Sequence, residues 1–323
     1  METFQTIILL LDATFRVATP LVLAALAGMF SERAGVVDIG LEGKMLGAAF
    51  SAAAVAAVSG SAWIGLGAGI LASIALSLLH AYACVTHKGN QVVSGMAINI
   101  VVAGLTPTLG YAWFSMGGQT PHLGGDARFK PITLPFAEAA HDIPIIGYIY
   151  SELISNHNII VYLAAASVPI CAWIMYKTRF GLRVRAVGEN PHAVDTAGIS
   201  VDWLRYKALI MTGFLCGIAG TYLSTAHGAG FIRDMTAGKG YLALAALIFG
   251  KWRPVPTLFA CLLFAFTDAV QARLQGVELP IVGVIPVQFI QALPYILTVL
   301  LLAGFVGKAN PPKSIGVPYI KEK

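Results

Sequence analysis

The sequence predicts an all-α membrane protein with about eight to ten transmembrane helices. Of its 323 residues, 57% are hydrophobic and 11% are charged, whereas a typical soluble domain carries about 25% charged residues. The apolar residues form long continuous runs without the alternation of barrel strands, and backbone groups in lipid are satisfied within helices. The composition therefore excludes a nucleic-acid-binding domain, a secreted disulfide scaffold and a disordered chain, and membrane lipid is the expected surrounding.

Nine apolar runs account for the predicted spans. A spanning helix needs about 20 apolar residues. The first run is too long for a cleavable signal peptide. Two runs are short and follow glycine-rich, charged segments, so we predict half or broken helices there. The long runs are 7–30, 61–86, 91–114, 158–176, 208–226, 254–270 and 281–304, and the short runs are 44–58 and 237–250.

The positions of Lys and Arg predict how the chain is oriented. These residues concentrate in the 87–90 turn, the 177–207 loop, the 251–253 turn and the C-terminal tail. Because cytoplasmic loops are enriched in Lys and Arg, we expect these segments in the cytoplasm and the loop 115–157 outside. The side of the N-terminus stays open, since it depends on whether the segment after the first run crosses the membrane.

Two charged, glycine-rich segments predict an internal repeat. Residues 31–47 read SERAGVVDIGLEGKMLG, and 234–250 read DMTAGKGYLALAALIFG, with Gly43 aligned on Gly240 at an offset of 197. Irregular, charged backbone at membrane depth persists where it is buried in protein or lines a water-filled cavity. An interfacial hairpin is the alternative. We predict two inverted halves with broken helices at 31–58 and 234–250.

Polar residues in and beside the spans are candidates for a translocation pathway. Such residues either hydrogen-bond between helices or line a polar route. Both interpretations stay open, and for Asn99 we favour the lining role. The candidates are Asp38, Glu42, Gly43, Gln91, Ser94, Asn99 and Gly240.

The loop 177–207 contains the motif GENPHAVDTAG. Asn190 suits a helix N-cap, Pro191 suits the first helical position, and Gly198 suits the position after the C-cap. The motif predicts a helix of about two turns. Such a short helix can insert into a groove of a partner protein. The alternative is a solvated connection between two spans.

Four long segments carry a resemblance to a known family: SERAGVVDIGLEGKMLGAAF, NQVVSGMAINIVVAGLT, VRAVGENPHAVDTAGISV and AGKGYLALAALIFGKWRP. They resemble the membrane subunits of ABC importers, in the permease family that serves ribose-type sugars, branched-chain amino acids and nucleosides. The first segment is most similar to the nucleoside and simple-sugar branch. The resemblance runs from about 15 to 305, although loop 115–157, with HLGGDARFKPITLP, fits no family pattern.

This resemblance implies a transport subunit that forms one permease domain over 1–323 in the bacterial inner (plasma) membrane. A nucleoside or simple sugar, a small neutral solute, would cross between this chain and a second permease subunit, either a copy or a homologue. A periplasmic or lipoprotein-type solute-binding protein would deliver the solute, and a separate ABC ATPase subunit would supply energy. The coupling helix seated in the ATPase would comprise Glu189, Asn190, Pro191, His192, Ala193, Ala197 and Gly198.

The chain lacks the motifs of an ATPase and of a metal site. No Gly-Lys pair is followed by Ser or Thr, so the phosphate-binding motif G-x-x-x-x-G-K-[ST] is missing. We expect no enzymatic activity and no cofactor on this chain, with ATP and Mg bound by the partner. The four cysteines lie in apolar runs without a CxxC pair, and we interpret them as small core residues rather than metal ligands.

The residues leave three alternatives open. One is a branched-chain amino acid permease of the same ABC type. Another is an ion-coupled secondary transporter, which would use Asp38, Glu42 and Asp268 as membrane-embedded carboxylates. The third is an intramembrane enzyme around His80, although a lone histidine in a span is more often a packing residue.

Overall fold

Helices make up most of the described residues in this computed structural model. The structure describes residues 2–135, 137, 146–274, 278–279, 283–284, 292, 296, 299–300 and 310–321. Seven of the described helices are long and apolar enough to cross a membrane. The predicted all-α, multi-pass fold class is therefore confirmed.

Besides a short helical segment at Ile146–Tyr148, which continues as a π-helix over Ile149–Ile154, ten longer α-helices follow one another along the described part of the chain. They are α1 (Glu2–Arg33), α2 (Leu41–Ser59), α3 (Ala62–Ala81), α4 (Gln91–Phe114), α5 (Ile159–Lys177), α6 (Arg179–Glu189), α7 (Pro191–Thr196), α8 (Val201–Tyr222), α9 (Lys239–Phe249) and α10 (Pro254–Leu274). Helices α3 and α8 continue as π-helical turns to Thr86 and His227. Two short antiparallel pairs join β1 (Pro131–Ile132) to β2 (His157–Asn158) and β3 (Glu278–Leu279) to β4 (Gly283–Val284).

Eight of the nine predicted runs form helices, and the ninth, 281–304, lies almost entirely outside the described residues. The run predicted as a short helix at 44–58 is a 19-residue helix that begins at Leu41. The break lies just before it, at residues 34–40. The first turn of α2 can be helical inside the protein because the charge of Lys44 is paired with Asp38.

A second difference concerns the start of α8, which lies inside the predicted loop 177–207. The Ser200 hydroxyl accepts a hydrogen bond from the Trp203 N–H at 3.3 Å and caps the helix. Arg205, counted as a loop residue from the sequence, is buried and donates to the Ala34 carbonyl at 3.2 Å. Because the buried Arg205 side chain is hydrogen-bonded, helix α8 can begin before the apolar run 208–226.

Helices α2 and α8 lie at the centre of the bundle. Most residues of these two spans are buried, whereas fewer than a third of the residues in the α3 and α4 spans are, as expected for helices that face lipid or another subunit. Helix α3 packs on α2 and α8, and α1 packs on α8 and α10. Small residues spaced four apart are used at this centre, because Gly213 and Gly217 let α8 approach the backbone of α3.

Replacing Gly217 with alanine is expected to destabilise the bundle. The added Cβ would lie 2.5 Å from the Ile70 Cα atom, where backbone must move, and overpacking costs about 1–3 kcal/mol. The midpoint of thermal aggregation in detergent, followed by size-exclusion chromatography, measures the loss. Gly67→Ala is the matched control on α3, since no atom lies within 4 Å of its added Cβ. Equal midpoints for the two variants would contradict this account of the packing.

The bundle has two chemically different ends. We call one the basic end, where the 87–90 turn, 178–200, 250–253 and the tail 310–321 meet. At the opposite end, Phe129 N–H donates to the Thr225 carbonyl at 2.9 Å. There Asp12 pairs with Arg16, one helical turn later, at 3.2 Å. The start of α1 therefore lies at the end opposite the tail, which the sequence left open.

Candidate functional site

The segment 34–40 between α1 and α2 is held by side chains from α3 and α4. The Gln91 Oε1 atom accepts a hydrogen bond from the Val37 N–H at 2.6 Å. The His80 ring lies 3.0 Å from the Val37 carbonyl through Nε2 and 3.0 Å from the Ser94 hydroxyl through Nδ1. Gln91, Ser94 and His80 therefore fix the shape of this irregular backbone.

A buried ion pair joins this segment to the first turn of α2. The Lys44 ammonium donates to the Asp38 carboxylate, and both side chains are fully buried. The His80 Nε2 atom is 3.9 Å from the other carboxylate oxygen. Charges buried in protein persist when they are paired, so Asp38 acts as a structural partner of Lys44.

The N-terminus of α2 is capped from another helix. Its N-cap residue, Gly40, offers no side chain for this purpose. The Asn99 side chain supplies the acceptor, taking a hydrogen bond from the Gly43 N–H at 2.8 Å. The Asn99 amide also donates to the Ile39 carbonyl at 3.0 Å and to the Tyr241 hydroxyl at 2.8 Å. Asn99 thus joins α4 to α2 and α9.

The N-terminus of α9 is capped in the same remote manner. Its N-cap is Gly238, which has a φ of 80° and no side chain. The Glu42 carboxylate accepts hydrogen bonds from the Gly238 N–H at 2.8 Å and the Gly240 N–H at 2.6 Å. A Cβ on Gly240 would lie 2.6 Å from the Glu42 backbone. Only glycine therefore allows α9 to approach α2 this closely.

Gly43 and Gly240, the two residues aligned by the predicted repeat, have matching roles. Each lies in the first turn of a helix that follows a break, and a side chain from elsewhere caps its N–H. From this junction α2 runs toward the opposite end, while α9 runs toward the basic end and the Arg33–Trp252 contact. Two helix N-termini, each carrying positive partial charge, thus meet inside the bundle.

An open groove of about 280 Å³ lies beside this junction. Its walls include apolar residues of α2 and α4, and its floor carries an amide, a phenol and two carboxylates. Ile100 and Tyr241 are exposed, so the groove opens sideways from the bundle. The described lining residues are Glu42, Gly43, Leu46, Met96, Asn99, Ile100, Ala103, Asp234, Thr236, Ala237, Gly238 and Tyr241.

The chemistry of the groove favours a neutral polar ligand with an apolar face. The Tyr241 and Thr236 hydroxyls can donate and accept hydrogen bonds, and the Asn99 oxygen can accept one more, while Met96 and Ile100 offer apolar contact. None of the described lining residues is Lys or Arg, the side chains that bind phosphate. A phosphorylated ligand would therefore lack a counter-charge in this groove.

The structure separates the predicted pathway residues into two groups. Glu42, Gly43 and Asn99 line the groove, and Gly240 packs against Glu42 at its base. Asp38, Gln91 and Ser94 instead support the 34–40 segment and do not line the groove. The sequence reasoning missed several lining residues: Met96, Ile100, Asp234, Thr236 and Tyr241. Tyr241 could have been found, because it directly follows Gly240 in the repeated segment.

A larger cavity of about 640 Å³ lies on the other side of Gly238. Its charged and titratable lining residues include Arg16, His227, Lys239 and Asp268. It is therefore a mixed-charge space, in contrast to the groove. Among the described residues no cluster of three or more His, Cys, Asp or Glu side chains could hold a metal ion.

The motif in the 177–207 loop forms the predicted helix. In α7, which has six residues, the Asn190 side chain accepts a hydrogen bond from the Ala193 N–H at 3.1 Å, and Pro191 occupies the first turn. Gly198 has a φ of 76° and its N–H bonds to the Asp195 carbonyl at 2.8 Å. The helix lies at the basic end, with His192 and Ala193 exposed.

A multi-pass helical bundle in which two helix N-termini meet at one groove is typical of membrane transport proteins. The chain belongs to the family described as branched-chain amino acid transport system / permease component, which matches residues 10–304.

Three relatives that match most or all of the chain are named as ABC permeases. The guanosine ABC transporter permease protein NupQ of Bacillus subtilis is 38% identical, with both chains covered completely. The nucleoside ABC transporter permease protein NupC of Lactococcus lactis is 35% identical, again over both full chains. The putative glucose ABC transporter permease protein TsgC13 of Haloferax volcanii is 36% identical over 91% of this chain and 90% of its own.

Proposed function

We propose that this chain is the transmembrane permease subunit of an ATP-driven importer that carries nucleosides across the bacterial inner membrane. The observation that carries this proposal is the full-length similarity to permeases named for guanosine and nucleosides. The groove supports it, since a nucleoside combines a flat apolar base with neutral hydrogen-bonding groups. A simple sugar is the second candidate, favoured by the relative named for glucose.

We infer that the groove is half of the translocation pathway. It opens sideways beside the exposed residues Ile100 and Tyr241, so a second permease subunit facing it would complete a closed route. A relative named NupB, from the same organism as NupC, is 30% identical over 48% of this chain. Two related permeases in one organism support a partner that is a homologue or a second copy.

Helix α7 is proposed as the contact with a separate ATPase subunit in the cytoplasm. It is capped by Asn190 and lies at the basic end. The preceding helix α6 connects it to the end of α1, because Gly188 packs against the Arg33 carbonyl. The segment comprises Glu189, Asn190, Pro191, His192, Ala193, Ala197 and Gly198. Residues 115–135 of the predicted external loop 115–157 lie at the opposite end, where a solute-binding protein would deliver the solute. ATP and Mg would be held by the ATPase alone.

In this mechanism ATP acts on the pathway through rigid helices. Closure of the ATPase dimer would bring the α7 helices of the two permease subunits together. Because α1 and α8 are long helices of 32 and 22 residues, that movement would tilt the halves of the bundle. The tilt would expose the groove to the other side of the membrane. ATP shifts such a two-state equilibrium by interacting differently with its states.

Uptake by liposomes that contain the native complex tests this proposal. We expect uptake of labelled guanosine that requires internal ATP and falls at least about tenfold when unlabelled nucleosides compete at a concentration far above their Kd. Competition by glucose alone would make the sugar the substrate, and competition by leucine alone would favour the amino acid permease. Uptake that survives removal of the ATPase but stops with an ionophore would establish an ion-coupled transporter and overturn the proposal.

A further inference from the structure

The tail 310–321 is an ordered segment without helix or strand. The Ser314 hydroxyl donates to the Val187 carbonyl at 3.0 Å or the Gly188 carbonyl at 2.8 Å, and the Ser314 N–H donates to the Gly188 carbonyl at 2.8 Å. The Gly316 N–H donates to the Gly35 carbonyl at 3.1 Å. The tail is therefore fastened to the end of α6 and to the segment after α1.

The last part of the tail lies against α7. The rings of Tyr319 and His192 have centroids 5.3 Å apart. The Lys321 ammonium lies 3.6 Å from the Asp195 carboxylate. These contacts reach the helix that we propose as the ATPase contact, and they place the tail on the same surface.

A groove of about 620 Å³ separates the tail from the α7–α8 connection. One wall is Tyr319, Ile320 and Lys321, and the other runs from Gly198 to Asp202. Asp195 belongs both to this groove and to α7. The side chain of Ile320 is 70% exposed although the neighbouring Tyr319 is buried. Ile320 thus offers an apolar contact at the edge of the groove, next to an anchored residue.

We propose that the tail forms the second half of the ATPase docking surface, with the groove receiving an apolar side chain of the ATPase subunit beside Ile320. The proposal rests on the proposed function, because it assumes that α7 contacts that subunit. We choose the ATPase subunit as the partner because Asp195 belongs both to α7 and to the groove. A protein that binds α7 therefore also covers the groove. The rim of the groove carries charges of both signs, because Lys88 pairs with Asp202 and Lys321 pairs with Asp195. Such a mixed surface suits a protein partner better than an anionic lipid headgroup.

The test measures binding between the permease and the ATPase chain of its complex, identified by its G-x-x-x-x-G-K-[ST] motif and purified separately. Ile320→Asp is expected to weaken binding at least tenfold without loss of folded permease, because the side chain is exposed and the tail is anchored through its neighbours. Val317→Asp is the matched control: Val317 is also exposed on the tail, at 55%, but does not line the groove. It should bind within twofold of the native protein.

A variant in α7 separates this inference from the proposed function. If Pro191→Gly weakens ATPase binding while Ile320→Asp binds as the native protein does, only the tail proposal is overturned. If the native permease binds no ATPase chain, the proposed function fails as well. If Ile320→Asp instead lowers binding to vesicles of anionic phospholipid and leaves ATPase binding unchanged, the groove is a lipid site and the proposal is wrong.

Discussion

Replacing Asp38 with asparagine is expected to cause a severe loss of folded protein. The substitution leaves the Lys44 ammonium fully buried without a negative partner. Breaking a buried ion pair from one side costs about 3–5 kcal/mol, a large share of the roughly 5–15 kcal/mol that stabilises a typical protein. The yield of monodisperse protein in detergent and its midpoint of thermal aggregation measure the effect.

The double variant Asp38→Asn/Lys44→Met separates charge from packing. Methionine keeps much of the lysine stem and removes the charge, so the double variant should regain most of the lost stability. Asp126→Asn is the matched control, because its pair with Lys130 is exposed and such pairs contribute about 0–1 kcal/mol. A single Asp38 variant as stable as the native protein would show that Lys44 does not need its partner.

The parts of the fold that depend on local sequence could be predicted. Apolar runs mark spans because lipid imposes the same requirement on every segment, and eight of the nine runs are helices. The caps of α7 were predictable for a related reason, since Asn190, Pro191 and Gly198 act within a few residues of one another. The alignment of Gly43 with Gly240 also located the first turns of the two helices that follow a break.

The contacts that build the site could not be predicted, because they join distant parts of the chain. Glu42 caps a helix that begins nearly 200 residues later, with a separation of 196 to Gly238. From sequence alone, Asp38 and Gln91 are as suitable for a pathway as Glu42 is. Only the packing of α3 and α4 on the 34–40 segment distinguishes the supporting residues from the lining ones.

Replacing Glu42 with glutamine is expected to reduce uptake at least about tenfold while leaving membrane insertion intact. The carboxylate accepts from two N–H groups at the start of α9, and hydrogen bonds to charged groups contribute about 1.5–3 kcal/mol each. The glutamine side chain has one acceptor oxygen, and its NH₂ group would face the second N–H. The α2–α9 junction would loosen, so movement of α9 would no longer be passed to α2. Initial rates of solute uptake at equal amounts of complex measure the effect.

The result with Glu42 has a competing explanation, which is that the groove needs negative charge to attract its solute. Asp234→Asn separates the two, because Asp234 lines the same groove but is exposed and pairs only with the adjacent Arg233, at 3.4 Å, among the contacts described. If capping is the role of Glu42, the Asp234 variant should transport within about twofold of the native rate, as expected for an exposed pair. Equal losses in both variants would instead indicate charge attraction. Restored uptake in Glu42→Asp would argue against capping too, since the shorter side chain cannot reach both N–H groups without moving α2.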